Sequence, residues 1–167
     1  LTGSTVSFGN TLAGGTHSLA VTGNAVLGGA ATGLNTVSVS GTTALNGGAV
    51  TSTGTQTYSG AVTLGNDAAL TGSTVSFGTT LAGGSHSLAV TGNAVLGGAA
   101  TDLDTVSVSG TTALNGGAVT STVSYGSEQV FLDLNAAYRR KLQLMGKSVA
   151  WSLQTNINNA LNNDAFI

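Results

Sequence analysis

The chain has 167 residues, of which 26 are glycine and only 6% are charged; it contains no proline or cysteine, and its formal net charge is -2. The absence of cysteine excludes disulfide bonds and cysteine-ligated zinc, and the weak negative charge excludes a basic field that would attract nucleic acid or anionic lipid. No run of about 18 apolar residues is present, so we expect neither nucleic-acid binding nor insertion into a membrane.

An internal repeat dominates the sequence. Residues 1–53 recur as residues 70–122 at an offset of 69. The two copies differ at four positions: Asn10 becomes Thr79, Thr16 becomes Ser85, Gly33 becomes Asp102 and Asn35 becomes Asp104. Near-identical tandem copies of this length are typical of proteins built by stacking one structural unit.

Within the repeat, short segments alternate apolar residues with Ser, Thr or Asn and end in Gly or Asn, as in 18–30, 36–49 and 55–68. This pattern predicts short strands joined by tight corners and excludes helix. A leucine recurs every 15 to 19 residues, which predicts coils of about 17 residues in a parallel β-solenoid (β-helix) of about seven coils over residues 1–125, an all-β fold. The predicted core column is Leu12, Leu27, Leu45, Leu64, Leu81, Leu96 and Leu114.

Residues with potential for chemistry are sparse before residue 126. His17 and His86 are equivalent positions, predicted to lie four coils apart and therefore too far apart to share a metal ion. Asp102 and Asp104 occur only in the second copy, which favours surface drift over a calcium or catalytic role. Asn24 with Asn93, and Asn46 with Asn115, are predicted to bind backbone groups of the corners. We therefore expect a protein that is not an enzyme, with no catalytic, cofactor or metal site.

The composition changes at residue 126, where residues 126–167 form a separate capping or docking segment that holds all four basic residues. Asn135 and Ser148 are predicted to cap two short helices, the first of which ends at Gly146. The alternative for residues 136–162 is a β-hairpin, because Leu142 and Leu144, then Val149, Trp151 and Leu153, alternate around a possible turn.

The stretch GTQTYSGAVTLGNDAALTGSTVSFGTTLAGG (54–84) resembles the repeats of filamentous-haemagglutinin-like large exoproteins, which are bacterial adhesins secreted by the two-partner pathway. Autotransporter passengers are similar. The resemblance covers about residues 1–125 and implies a right-handed parallel β-helix shaft that is secreted or lies at a Gram-negative cell surface. It also implies contact with a host or biofilm surface.

Three functions are compared: a structural module of an adhesin or extracellular filament, which the sequence favours, an ice- or carbohydrate-binding solenoid, and an enzyme. An exposed strand edge and a nearly uncharged shaft predict end-to-end association into a homo-oligomer or filament. Because the Thr positions share no single register, the ice-binding alternative is less favoured. The residues predicted to take part in self-assembly are Val6, Phe8, Tyr125, Phe131 and Trp151.

Overall fold

The computed structural model describes residues 1–116, 119–121, 134–144 and 147–157. The chain divides into two compact units, Leu1–Ser124 and Tyr125–Ile167. The boundary lies one residue before the position at which the change in composition predicts it. The first unit is a solenoid and the second contains a hairpin.

The solenoid unit is built from short strands that pair in parallel, and its described residues contain no helix. Alternating apolar and small polar residues suit strands that are buried on one face only. The strands are β1 (Thr2–Phe8), β2 (Leu12–Ala13), β3 (Leu19–Leu27), β4 (Ala31–Leu34), β5 (Val37–Val39), β6 (Thr43–Leu45), β7 (Ala49–Ser52), β8 (Gln56–Tyr58), β9 (Val62–Leu64), β10 (Ala68–Phe77), β11 (Leu81–Leu96), β12 (Ala100–Val108), β13 (Thr112–Leu114) and β14 (Val119–Ser121).

Each coil contributes one strand segment to each of three faces, which we name A, B and C. The longer strands bend at corners, so that β11 contributes a segment to every face. Face A contains segments 6–8, 25–27, 43–45, 62–64, 81–82, 100–101 and Val119. Face B contains 12–13, 31–34, 49–52, 68–71, 88–90 and 106–108. Face C contains 19–21, 37–39, 56–58, 75–77, 94–96 and 112–114.

The coil is longer than the leucine spacing predicts. Stacked partners are 17 residues apart for His86 and Leu103 and 20 apart for Thr2 and Thr22. Most other partners, such as Leu27 with Leu45, are 18 or 19 apart. The strands make about six turns. The structure therefore confirms a parallel β-solenoid, while the prediction of seven coils is too high by about one.

The core lies between the three faces and is lined by the apolar residue of each alternating pair. On face C, the row Val21, Val39, Tyr58, Phe77 and Leu96 is buried along its length. The rings of Tyr58 and Phe77 stack with their centroids 5.7 Å apart. Because one coil cannot cover its own inward row, stability depends on the neighbouring coils.

The corners bring backbones of successive coils close together. Gly23 has φ 118° and Gly92, its equivalent in the second copy, has φ 124°. A Cβ atom at Gly23 would overlap the carbonyl oxygen of Gly3 in the coil before it, and one at Gly92 would overlap that of Gly72. Glycine is thus required here both by the left-handed backbone and by the close approach.

The two copies of the repeat occupy different faces of the solenoid. Segments 6–8, 25–27 and 43–45 lie on face A, whereas their copies 75–77, 94–96 and 112–114 lie on face C. In the same way, segments of face B recur on face A, and segments of face C recur on face B. From Val6 to Val75 the chain passes through 11 strand segments, which is three and two-thirds turns at three segments per turn.

The seven leucines predicted to form one core column do not stack in one row, because the second copy is rotated by one face. Leu27, Leu45 and Leu64 do stack on one another on face A, but Leu81 lies over Val62, two residues away from their row. The remaining three leucines lie on other faces: Leu12 on face B, Leu96 and Leu114 on face C. Leu114 stacks on Leu96 at the end of the inward row of face C, but it is 45% exposed. The mean leucine spacing is shorter than a coil because the leucines move from face to face.

The second unit contains an antiparallel hairpin of β15 (Leu134–Leu144) and β16 (Lys147–Ile157). The prediction of two helices capped by Asn135 and Ser148 is therefore wrong, and the hairpin alternative is the one observed. Period-2 alternation through both segments outweighs the capping residues, since a strand needs only the alternation to form an apolar face. Trp151 pairs in register with Arg140. Tyr125 and Phe131 lie outside the described residues.

Candidate interaction surface of the solenoid

The outward rows of the three faces carry small, uncharged side chains. On face C the central outward row is Ala20, Ser38, Thr57, Ser76, Val95 and Ala113. On face A the corresponding row is Ser7, Val26, Ala44, Thr63 and Ala82. No single side-chain type continues along either row. These faces therefore present neither a charged ladder nor a repeated ligand-binding group.

Face B has the most regular outward surface. Thr51, Thr71 and Thr91 stack on one another, and beside them Ala49, Ala69 and Ala89 form a second row. The Thr row extends over three coils, at about 4.8 Å per layer. A side-chain match to a regular lattice would need this register along most of the face, whereas here it is confined to the middle of the solenoid.

A surface depression of about 380 Å³ lies on face A. Its lining includes Thr5, Asn24, Thr42 and Thr63 together with alanine and valine, and no titratable side chain. Asn24 Oδ1 already accepts a hydrogen bond of 2.9 Å from the backbone N–H of Thr42. The depression can offer hydroxyl groups to a ligand, but it lacks any acid, base or nucleophile with an activating partner.

Three titratable residues of the solenoid, Asp67, His86 and Asp104, lie around Ser87. The backbone N–H of Ser87 donates to Asp67 Oδ1 at 2.8 Å, and Ser87 Oγ donates to Asp104 Oδ2 at 3.4 Å. His86 Nδ1 is 3.8 Å from Asp67 Oδ1, which is too far for a hydrogen bond. The Ser87 hydroxyl is thus bound to a carboxylate rather than to the imidazole, so the cluster does not form a Ser-His-Asp arrangement.

The equivalent position in the first copy has different neighbours. His17 lies between strands and is exposed, and its backbone N–H donates to the carbonyl oxygen of Gly14 at 2.9 Å. His86 lies within β11 and pairs in register with Leu103. The two residues are separated by three and two-thirds turns, so the prediction of four whole coils is wrong. Among the described residues, no three His, Asp or Glu side chains are grouped so that they could hold a metal ion.

The coil that joins the two copies contains a buried polar network that was not predicted from the sequence. Gln56 is fully buried, and its Nε2 donates to the carbonyl oxygens of Val50 at 3.1 Å and Thr71 at 2.8 Å, and to Ser52 Oγ at 3.3 Å. Tyr58 Oη donates to Gln56 Oε1 at 3.0 Å. Burial also raises the pKa of Tyr58 above its usual value. Because every partner belongs to the protein, this network supports the fold and is not open to a ligand.

The signal for this network was visible in the alternation. Gln56 and Tyr58 occupy the positions that are apolar in neighbouring coils, where Val37 and Val39 stand. A polar side chain at an inward position predicts an internal partner. The partner itself, the carbonyl of Thr71 in the next coil, is defined only by the stacking.

The fold and surface together define the class of this protein as a three-sided parallel β-solenoid whose exterior consists mostly of small, uncharged side chains. Comparison of the chain with protein-family models, curated proteins and solved structures gives no match. Within the described residues there is no helix that is long and apolar enough to cross a membrane.

Proposed function

We propose that this chain is a structural shaft module of a bacterial surface or secreted adhesin, or of an extracellular filament. The observation that carries the proposal is the rotation of the second copy by one face. A repeat that serves a binding face is expected to contain a whole number of coils, so that the same side chains return to that face. A repeat that provides length needs only to continue the strand ladders.

The exterior supports the same role. Residues 1–116 contain only three formally charged side chains, Asp67, Asp102 and Asp104, and no Lys or Arg. The described solenoid residues also lack a cluster with the geometry of a catalytic site. A rod of this kind separates the groups at its two ends by a distance set by the number of coils, at about 4.8 Å per layer.

The shaft role is tested by adding length. A third 69-residue unit inserted between residues 69 and 70 should lengthen the particle by about 18 Å, as calculated from about 4.8 Å per layer, while the circular dichroism per residue stays unchanged. Small-angle scattering measures the length. An antibody against the solenoid should label intact cells of the source organism, and labelling only after permeabilisation would contradict the location.

The second candidate is a solenoid that binds ice or carbohydrate through face B. The row of Thr51, Thr71 and Thr91 beside Ala49, Ala69 and Ala89 favours it. A thermal-hysteresis assay and a glycan array test this candidate directly. If activity is present and is lost in Thr71→Lys but retained in Thr57→Lys on face C, face B is a binding face and the shaft proposal fails.

A further inference from the structure

We infer that the building unit of this solenoid is one strand with its corner, about six residues, rather than one whole coil. The inference concerns how the shaft is assembled and does not depend on what the adhesin binds. Its basis is that one sequence of 53 residues occurs twice in the same molecule and occupies different faces each time.

The local structure of the two copies is the same in spite of the rotation. Gly23 N–H donates to Ser40 Oγ at 3.0 Å, and the equivalent bond from Gly92 to Ser109 Oγ is 2.9 Å long. The first lies at the corner that follows face C, and the second at the corner that follows face B. The same residues therefore make the same corner on either side of the solenoid.

The backbone conformation is also retained. Gly33 has φ 64°, and Asp102, which replaces it in the second copy, keeps a φ of 54°. Thr16 and Ser85 have φ values of 69° and 67°. A non-glycine residue in the left-handed region is unfavourable by itself, so its retention after both substitution and rotation shows that the corner geometry follows the local sequence and not the face.

The spacing of inward residues sets the limits of the unit. Consecutive faces are reached after six residues from Val6 to Leu12, eight from Val62 to Leu70, nine from Leu81 to Val90 and four from Val90 to Ala94. The corners thus absorb between four and nine residues per face. Because the corners accommodate different numbers of residues, a strand can occupy any of the three faces. The chain that follows an added or removed unit can therefore shift to the next face without changing its internal pairings.

The test removes or adds a single unit in the full chain. Deletion of Thr36–Gly41 removes β5 and places Thr43 six positions after Ala31, which is within the observed range. Residues that both lie after residue 42, such as Gln56 and Thr71, keep the same separation in sequence. The second variant repeats residues 36–41 once. If the chain after the deletion moves by one face, Ala44 stacks on Ala20 instead of on Val26. Two cysteine pairs distinguish these stackings: Val26→Cys with Ala44→Cys, and Ala20→Cys with Ala44→Cys.

We expect both six-residue variants to keep a β-rich circular dichroism spectrum and a single cooperative unfolding transition. Amide hydrogen exchange should show protection at Val62–Leu64 in both. In the deletion variant the cysteine pair at 20 and 44 should form a disulfide, and the pair at 26 and 44 should form one only in the chain without the deletion. A six-residue deletion and a six-residue repeat that both lose the cooperative transition would overturn the inference, and so would a deletion variant in which the pair at 26 and 44 still forms the disulfide.

Discussion

Asn24 and Asn93, which are 69 residues apart in the chain, make the same hydrogen bond on two different edges of the solenoid. Asn24 Oδ1 accepts from the N–H of Thr42 at 2.9 Å, and Asn93 Oδ1 accepts from the N–H of Thr111 at 3.0 Å. Both bonds reach from one coil to the next. The prediction that these amides bind backbone groups of the corners is confirmed, and the acceptor side chain joins two coils rather than closing its own turn.

Because the two sites are local equivalents, we expect Asn24→Ala and Asn93→Ala to lower the free energy of unfolding by similar amounts, about 0.5 to 1.5 kcal/mol each. The double variant should lose the sum, since the sites share no partner. Chemical denaturation measures all three. A loss confined to one of the two asparagines would mean that the faces are not equivalent in energy.

Thr43 is the only buried side chain among the described residues whose polar atom has no hydrogen-bond partner. It stacks between Ala25 and Val62 in the inward row of face A. Thr43→Val removes an unsatisfied hydroxyl and keeps the shape, so the free energy of unfolding should rise, by about 1 kcal/mol or more. The exposed Thr63 is the matched control: Thr63→Val should change stability by less than about 0.5 kcal/mol. Destabilisation by Thr43→Val would indicate a partner for this hydroxyl.

Tyr58 makes the stability depend on alkaline pH. Burial raises its pKa in the folded protein above the unfolded value of 10.0. Its contribution is therefore fully present below pH 10 and decreases as pH rises above that value, because only the unfolded chain then ionises this tyrosine. The decrease should approach about 1.4 kcal/mol per pH unit.

Tyr58→Phe isolates this contribution. The variant loses the hydrogen bond to Gln56, which lowers its free energy of unfolding at pH 7. Between pH 10 and 12 its free energy of unfolding should fall less steeply than that of the unmodified chain, by about 1.4 kcal/mol per pH unit, because position 58 no longer ionises. Denaturation at several pH values gives both quantities. An unchanged slope would show that Tyr58 ionises equally in the folded and unfolded states.

Leu45 and Leu114 are equivalent in sequence but differ in burial. Leu45 is 2% exposed on face A and Leu114 is 45% exposed on face C. Leu45→Ala should cost about 2 to 5 kcal/mol, and Leu114→Ala about 1 kcal/mol. Urea denaturation compares them. Equal costs would place Leu114 in the core, as the leucine column had predicted.

End-to-end association of the 167-residue chain remains a prediction. In parallel strands, alternate residues direct their backbone N–H and C=O groups to opposite neighbouring strands. The carbonyl oxygen of Phe8 accepts a hydrogen bond from the N–H of Gly28 at 2.7 Å, so the backbone groups of Phe8 and Val6 point toward β3. The side chains of both residues pack against the core. The N–H of Ser7 faces the opposite edge.

Ser7→Pro removes only the donor at that edge, whereas a proline at Val6 would break the ladder with β3. We expect light scattering of the unmodified chain to show growth of oligomers with concentration. Ser7→Pro should abolish the growth and Ser7→Ala, which keeps the N–H, should retain it. An unmodified chain that stays monomeric at high concentration would contradict the prediction of end-to-end association.

The sequence by itself determined the kind of structure. The alternation of apolar residues with Ser and Thr, the Gly and Asn corners and the 69-residue repeat specify short parallel strands stacked as a solenoid, because each of these signals is local. For residues 136–157 the sequence favoured helices and left a hairpin as the alternative, and only the structure shows the hairpin.

Only the tertiary structure decided how many residues make a turn, which face each copy occupies and what Gln56 binds. Strands on all three faces have the same pattern, and corners of different length accommodate four to nine residues per face, so no sequence signal shows where a coil ends. The end of each coil is determined by the backbone hydrogen bonds between coils, such as the 2.9 Å bond from the N–H of Val37 to the carbonyl oxygen of Thr55. These bonds join residues about 18 positions apart, and their register is defined only when the neighbouring coil is in place.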